Sequence, residues 1–274
     1  MIARQLLKTF APPTALFIIF GQQLYHRLFE GADKLAQAPK VMLWAWERPE
    51  QLSFLDASNT GVAYLAETIY PAKDGFTVRP RLQPLHLPEA AYLEAVVRIE
   101  TDRRKNWALS QEQLDALVRE VIKASSLPGV KALQIDFDAR ENERSFYRQL
   151  LTKIRKSLPE RMPLSMTALS SWCMGDQWLR DIPVDEVVPM LFSMGAGRRE
   201  SIDFLTNGDS GRFSYFQKCL GISINDPQPA DILAKRTKLN GTRIYLFSPR
   251  SWNSVSLNNA LDEVHIWQRP SVNL

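Results

Sequence analysis

The chain is poor in cysteine and histidine. Of its 274 residues only Cys173 and Cys219 are cysteines, and His26, His86 and His265 lie far apart from one another. A disulfide framework needs several cysteine pairs, and a structural zinc site normally takes about four Cys or His ligands. The sequence therefore predicts no metal site and no cofactor. We interpret both cysteines as small buried residues, and a single disulfide between them stays open.

A strong excess of charge of one sign is also missing. Lysine and arginine together number 34 and aspartate and glutamate 30, so the formal net charge is +4. No stripe of alternating basic and aromatic residues accompanies the short basic clusters at 103–105 and 198–199, which are typical of solvated loops and helix faces. We therefore expect no nucleic-acid partner.

The N-terminal segment contains an apolar run that is too short to span a bilayer. This run, Phe10–Phe20, follows Arg4 and Lys8, whereas a spanning helix needs roughly 20 apolar residues. A basic start before an apolar run is the outline of a secretory signal. We therefore interpret residues 1–39 as a signal-like or membrane-proximal segment and expect a periplasmic or membrane-anchored, periplasm-facing protein. An amphipathic segment on the membrane surface (residues 1–30) and a packed extra helix stay open as alternatives.

From residue 40 to the end, short apolar runs alternate with stretches of helical periodicity. This alternation is typical of parallel βα architecture. The runs expected to form strands are Val41–Trp46, Gly61–Tyr70, Leu93–Glu100, Val130–Phe137, Leu164–Leu169, Glu186–Phe192, Leu220–Ile224 and Ile244–Phe247. The pattern predicts an α/β fold, a single (β/α)8 TIM-type barrel that occupies residues 40–274 as one domain.

Two further features refine this prediction. Asp74-Gly75 is a strong hairpin-turn pair, so a hairpin insertion is expected after the second strand, with residues 76–85 as the returning strand. A doubly wound open sheet is the alternative fold, but the first strand is not followed by the Gly-rich phosphate loop of that class.

Polar residues end several of the predicted strands. They are Glu47, Glu100, Asp136, Asp138, Ser170, Ser171 and Asp226. The carboxyl ends of barrel strands converge on the face where active sites form. Because strand side chains alternate, Gln134, Asp136 and Asp138 should share one face, and Ile135 and Phe137 the other.

Arg98 and Glu100 form a comparable pair on the preceding strand, whose neighbour should lie about 4.8 Å away. These charges, together with Asp136 and Asp138, should therefore form one cluster. Two interpretations stay open: an ion network that stabilises the barrel, or a catalytic or ligand-binding set, since buried charge is costly without a partner or a purpose. Two close carboxylates can divide the roles of acid and base, as glycoside hydrolysis requires.

Tryptophans at or just past strand ends add a second reason to expect a sugar ligand. Trp44, Trp46, Trp172 and Trp252 stand at such positions. Their flat rings could stack on sugar faces, although a single tryptophan is more often part of a core.

Over residues 41–250 the sequence resembles an uncharacterised bacterial family, domain of unknown function 3142. The segments that carry the resemblance are Trp44-Ala-Trp-Glu-Arg-Pro49, Val97-Arg-Ile-Glu100, Leu133-Gln-Ile-Asp-Phe-Asp-Ala139, Ser170-Ser-Trp-Cys173 and Val188-Pro-Met-Leu-Phe192. The family has no known activity, so this resemblance implies a relationship rather than a function.

More remotely, the chain is similar to the family 18 glycoside hydrolases, the chitinase-type barrels. Gln134, Asp136 and Asp138 stand where that family has a row of acids on its fourth strand, so the similarity places Asp138 at the position of the glutamate acid. Met190-Leu-Phe192 resembles the Met-x-Tyr of the sixth strand. The chain departs from the family in having aspartate for glutamate and Phe192-Ser193 in place of Tyr-Asp.

Together these observations predict a glycosidase-like hydrolase that acts on a cell-envelope or extracellular glycan. Asp138 would be the general acid, Asp136 its electrostatic partner, Glu100 or Glu47 an auxiliary base, and Arg98 an orienting group. The residues expected to contact the substrate are Glu47, Arg98, Gln134, Trp44, Trp46, Trp172 and Asp226. The alternatives are a non-catalytic carbohydrate-binding barrel and an interaction protein held near a membrane.

Overall fold

The computed structural model describes residues 34–102, 110–175, 177–209 and 212–269. The predictions for residues 1–33, including the signal-like run and the membrane-surface segment, therefore lie outside the described residues. No helix among the described residues combines the length and the apolar character that crossing a membrane requires.

The described strands form a closed barrel and one small accessory sheet. They are β1 (Val41–Ala45), β2 (Glu50–Gln51), β3 (Thr60–Ala72), β4 (Gly75–Pro80), β5 (Leu85–His86), β6 (Leu93–Ile99), β7 (Val130–Asp136), β8 (Leu164–Leu169), β9 (Glu186–Met190), β10 (Cys219–Ser223) and β11 (Arg243–Phe247). The barrel order is β1-β3-β6-β7-β8-β9-β10-β11, all parallel, and β11 pairs with β1 to close it. The predicted TIM-type barrel is confirmed.

The helices that cover the barrel alternate with its later strands. They are α1 (Gln111–Ser125), α2 (Arg144–Ser157), α3 (Ser170–Cys173), α4 (Arg198–Asn207), α5 (Ser214–Lys218), α6 (Gln228–Arg236) and α7 (Ser254–Gln268). Helix α1 shows why this part of the sequence is helical: Ser110 and Gln113 form a capping box at its start, and Leu114, Leu117 and Val121 form a buried stripe.

Between β3 and β6 the chain departs from the simple repeat. Strand β4 returns antiparallel along β3 through a turn in which Gly75 adopts a φ of 140°, a conformation that side chains other than glycine rarely adopt. Strand β5 then pairs with β2 beside the barrel mouth. This segment therefore brings the chain back to the residues that follow β1.

The alternation of side chains along the strands creates two cores. Leu43, Val97 and Ile135 belong to the core between the barrel and its helices. A second core fills the barrel interior and contains Met42, Trp44, Ala63, Leu65, Val96, Val188, Cys219, Tyr245 and Phe247. Both cysteines are buried and free, and burial raises their pKa. The barrel is thus packed, and a ligand must bind at its ends.

A candidate active site at the carboxyl ends of the strands

Arg98, Glu100 and Asp136 are brought together where β6 and β7 end. Arg98 pairs in register with Asp136 across these two strands. Its guanidinium Nη1 donates to Asp136 Oδ2 over 3.1 Å, and its Nε lies 3.7 Å from Glu100 Oε2. One arginine therefore holds two carboxylates of the expected cluster.

Asp136 lies beneath the surface. Only 3% of the residue is exposed, and its second oxygen, Oδ1, accepts a 2.8 Å hydrogen bond from Thr167 Oγ1 on β8. Both carboxylate oxygens thus receive a hydrogen bond from the protein. Asp136 is therefore suited to holding Arg98 in place rather than to contacting a ligand.

Asp138 lies two residues further on, past the end of β7, and is exposed. It lines an open cavity of about 510 Å³. Other lining residues are Tyr70, Arg98, Glu100, Asp102, Phe137 and Arg140. We call this cavity the Asp138 pocket. Its lining combines carboxylates, guanidinium groups and a phenol, groups that can bind hydroxyl-rich ligands.

The charges around Arg98 act on its protonation. Burial lowers the pKa of Arg98, but Asp136, Asp138 and Glu100 raise it more, so that it lies above its ordinary value. Arg98 is thus a permanent cation at the edge of the pocket.

The aromatic residues predicted at the mouth lie at two depths. Trp46 is half-buried, and the Arg98 guanidinium carbon lies 5.8 Å from the centre of its ring. Trp44, in contrast, is fully buried in the barrel interior, where its ring stacks on Phe247 at a centroid distance of 4.5 Å. Trp44 is therefore a core residue, and the expected sugar contact does not hold for it.

Two other expected substrate contacts are also enclosed. Gln134 is 0% exposed inside the barrel, where its side-chain amide donates to Ser165 Oγ over 2.9 Å. Trp172 is 3% exposed and packs edge-on against Trp178 in the helix layer. The sequence places both near strand ends, but neighbouring side chains cover them. Trp252 is buried too, and its indole nitrogen donates to the Trp44 carbonyl.

Glu47 and Asp226 lie at the mouth but outside the Asp138 pocket. Glu47 accepts a 2.9 Å hydrogen bond from the backbone N–H of Leu82, and Asp226 forms an ion pair with Arg198, whose Nη2 lies 3.0 Å from its Oδ1. Both carboxylates are therefore used in holding loops. The expected cluster of Arg98, Glu100, Asp136 and Asp138 lies at this pocket, whereas Glu47 and Asp226, which were expected to contact the substrate, lie outside it.

Some polar residues of the pocket were not identified from the sequence, among them Tyr70, Asp102 and Arg140. Tyr70 lies in β3 near its end, Asp102 follows Glu100 by two residues, and Arg140 follows Asp138 by two. Asp102 and Arg140 could have been predicted, because each lies two residues after a predicted site residue, and alternate residues of an extended chain share one face. Within the described residues, no group of three or more potential ligands is arranged to hold a metal ion.

The β3–β4 hairpin supports the mouth through Arg81. Its guanidinium donates to the carbonyl oxygens of Trp46 and Arg48, each over 2.6 Å. We predict that Arg81→Ala lowers the free energy of unfolding by about 1 to 3 kcal/mol, since hydrogen bonds to charged groups are lost. Urea unfolding followed by tryptophan fluorescence measures this. Arg79→Ala is the control, because Arg79 lies at an exposed position of β4, the strand that ends just before Arg81. Equal losses in both variants would contradict a specific role for Arg81.

Comparison with known proteins shows the fold. No family model matches the sequence, and no curated protein does, so membership of domain of unknown function 3142 is not shown. Among solved structures, the protein named "putative Chitinase A" from Streptomyces coelicolor is 12% identical, with a TM-score of 0.54 over 83% of this chain and 97% of that chain. This chain shares its barrel fold. At 12% identity the likeness extends to the fold alone.

Two other solved structures are less similar to this chain. An endo-β-N-acetylglucosaminidase from Cordyceps militaris is 12% identical, with a TM-score of 0.45 over 88% of this chain and 87% of that chain. A β-mannanase from Alicyclobacillus acidocaldarius is 8% identical, with a TM-score of 0.46 over 78% of this chain and 87% of that chain.

Proposed function

We propose that the protein is a glycoside hydrolase-like enzyme that acts on a cell-envelope or extracellular glycan, with Asp138 as the general acid. The observation that carries the proposal is the exposure of Asp138 in an open pocket at the carboxyl ends of the barrel strands. This is the end at which TIM barrels place their catalytic groups. The barrel shared with the Streptomyces coelicolor structure is consistent with this class.

The carboxylates near the pocket have environments that suit different roles. Glu100, with 53% of its side chain exposed, lies beside the Arg98 guanidinium and is open to the pocket. An ionised carboxylate open to the pocket can act as a base toward water, while Asp138 supplies the proton to the leaving oxygen. Asp136 holds Arg98 in place from below, and we propose that its charge acts as the electrostatic partner of Asp138.

Trp46 provides an apolar surface at the rim of this site. Its half-buried ring lies next to Arg98. Such a ring can stack on the apolar face of a sugar, while Tyr70, Asp102 and Arg140 hydrogen-bond its hydroxyl groups. The pocket thus offers both kinds of contact that a glycan needs.

The proposal is tested by glycan hydrolysis. Purified protein and its Asp138→Asn variant are incubated with a panel of cell-envelope and extracellular polysaccharides, and released reducing ends are measured. Loss of a general acid should lower the rate about 10²- to 10⁴-fold. Asp226→Asn is the matched control, because this aspartate lies at the same mouth in a separate ion pair and should keep its rate. Equal release by wild type and Asp138→Asn would end the assignment.

A non-catalytic carbohydrate-binding barrel is the second candidate. The observation in its favour is that Arg98 forms ion pairs with both Glu100 and Asp136. Charges that neutralise one another in this way suit a binding site more than acid–base catalysis. Glycan binding without turnover, kept in Asp138→Asn and lost in Trp46→Ala, would support this function over hydrolysis.

We also propose that the protein is exported to the periplasm, or held at the membrane facing it, through residues 1–39. An enzyme retained in the cytoplasm would be separated from a cell-envelope glycan, so the location of the protein bears on its function. Cell fractionation of the full chain and of a chain lacking residues 1–30 tests this. If the full chain and the shortened chain were both recovered in the soluble cytoplasmic fraction, residues 1–30 would not act as an anchor. The alternative of an interaction protein held near a membrane would then be wrong as well.

A further inference from the structure

A buried hydrogen-bond network lies at the amino end of the barrel, opposite the Asp138 pocket. The Glu94 carboxyl accepts from Ser165 Oγ over 2.6 Å at Oε1. Its other oxygen, Oε2, lies 2.7 Å from the Tyr245 hydroxyl, which in turn lies 3.0 Å from Glu186 Oε2. Arg243 Nη1 donates to Glu186 Oε1 over 2.6 Å. We call these five residues the barrel-base network; each is at most 7% exposed.

If Glu94 and Glu186 were both ionised, the network would have one proton too few for its hydrogen bonds. The Tyr245 hydroxyl has one hydrogen but lies within hydrogen-bond distance of two carboxyl oxygens. If both carboxyls were ionised, one of these contacts would bring two acceptors together without a proton. A proton on Glu94 Oε2 solves this, because Glu94 then donates to Tyr245 and Tyr245 donates to Glu186.

The count of charges assigns the proton to Glu94. Arg243 is the cation of the network, and its direct partner is Glu186. Burial raises the pKa of Glu94 to about 7, against the hydrogen bonds from Ser165 and Tyr245, which lower it. Burial also raises the pKa of Glu186, but Arg243 opposes this shift directly. One positive and one negative charge therefore remain, as a buried site requires.

The groups that act on Glu94 come from β8, β9, β10 and β11 and from the residue just before β6. They are Tyr92, Ser165, Glu186, Cys219, Arg243 and Tyr245. Lys40 acts on the network through Glu186. Apart from Arg243 and Lys40 these groups are neutral or anionic near neutral pH, so the surroundings favour a neutral Glu94.

Arg243 also connects the network to the segment that crosses the base of the barrel. Its Nε donates to Pro39 O over 2.8 Å, and its Nη2 lies 3.2 Å from both Leu35 O and Ala38 O. We call residues 35–39 the base strap. A change in charge on the network therefore acts on the group that holds this strap.

We propose that Glu94 keeps its proton in the folded protein below neutral pH, and that this proton holds the base strap in place through Tyr245, Glu186 and Arg243. When pH rises and Glu94 ionises, two carboxylates compete for Arg243 and the strap loosens. The network is thus a pH-sensitive closure of the barrel base.

The sign of the pH dependence follows from linkage. The pKa of Glu94 is higher in the folded protein than in the unfolded chain, so its contribution to stability is complete below about 4.5 and is lost as pH rises through about 7. Relative to a variant without this group, the unfolding equilibrium constant should rise about tenfold for each pH unit between pH 5 and 7.

Glu94→Gln is the decisive variant. Its side-chain oxygen can accept from Ser165 and its amide N–H can donate to Tyr245, so it copies the protonated glutamate at every pH. We expect urea unfolding of Glu94→Gln to match wild type near pH 5 and to lack the loss toward pH 7. Hydrogen exchange of the strap amides should be faster in wild type than in Glu94→Gln at pH 8. An equal pH slope in both proteins, or a Glu94→Gln variant much less stable than wild type at pH 5, would overturn the proposal.

Infrared spectroscopy tests the proton in the wild-type chain directly. A protonated carboxyl has a carbonyl band separate from that of a carboxylate, and this band should be present at pH 6, fade by pH 9 and be missing in Glu94→Gln. Glu67, whose pKa burial also raises to about 7, contributes a similar band. Glu67→Gln is therefore the matched control and should keep the Glu94 band. No difference between wild type and Glu94→Gln at pH 6 would show that Glu94 is ionised.

Discussion

Arg243→Met should lower the free energy of unfolding by about 3 to 5 kcal/mol at neutral pH, the range for breaking a buried ion pair from one side. The Arg243 and Glu186 side chains are each 6% exposed, so solvent screens little of the interaction. Methionine has a similar length but no charge, and it leaves Glu186 buried without its cation. It also removes the hydrogen bonds to the base strap. Chemical unfolding followed by circular dichroism measures the loss.

The pH dependence of this loss separates the charge from the packing. Without Arg243 the pKa of Glu186 should rise further, because the cation that most strongly opposes the effect of burial is gone. The penalty of Arg243→Met should therefore grow as pH rises from 5 to 8. Adding Glu186→Gln removes the unpaired charge and should restore part of the stability. A loss below about 1 kcal/mol for Arg243→Met would contradict the buried pair, since this is the range of exposed pairs.

Tyr147→Ala should lower the free energy of unfolding by about 3 to 5 kcal/mol, as large-to-small changes of buried aromatic residues do. Tyr147 is fully buried in α2, and its ring lies 5.1 Å from that of Phe137 and 5.9 Å from that of Trp178. Phe137 stands between Asp136 and Asp138. The cavity left by alanine would therefore lie directly behind the residues that position the Asp138 pocket.

Tyr147→Phe is the matched control for this prediction. It keeps the ring and removes only the hydroxyl, which donates to Ile135 O over 3.2 Å. The expected loss is about 1 kcal/mol, the net value of one hydrogen bond. Similar losses for Tyr147→Ala and Tyr147→Phe would show that the hydrogen bond, rather than ring packing, supports the end of β7.

The strands of the barrel were largely predictable from the sequence. A parallel strand buried on both faces is a nearly continuous apolar run, and such runs are easily recognised between polar loops. The run 244–247 corresponds to β11 (Arg243–Phe247), and the run 61–70 to β3 (Thr60–Ala72). Strands β2 and β5 have two residues each. They were not predictable, because two residues have no period and their pairing depends on where the hairpin returns.

The candidate site was predictable as to face but not as to depth. Alternation predicts one face for Gln134, Asp136 and Asp138. In the structure Gln134 and Asp136 share one face of β7, while Ile135 and Phe137 belong to the core shared with the helices. The Gln134 and Asp136 side chains are buried, whereas Asp138 is exposed. Trp44 on β1 is buried, and Trp46, just past the end of β1, is half-buried. A spacing of two residues cannot reveal which member of a row has reached the surface.

The sequence by itself determined the barrel, because apolar runs alternate with helical periodicity, and it determined the inward face of β7, because polar and apolar residues alternate there. The tertiary structure decided how far each inward residue lies from the mouth, since this depends on strand stagger and on the side chains that neighbouring strands contribute. It also decided the barrel-base network, whose members at positions 94, 165, 186, 243 and 245 lie on four strands. Only closure of the barrel brings them within hydrogen-bond distance, and no local pattern records that contact.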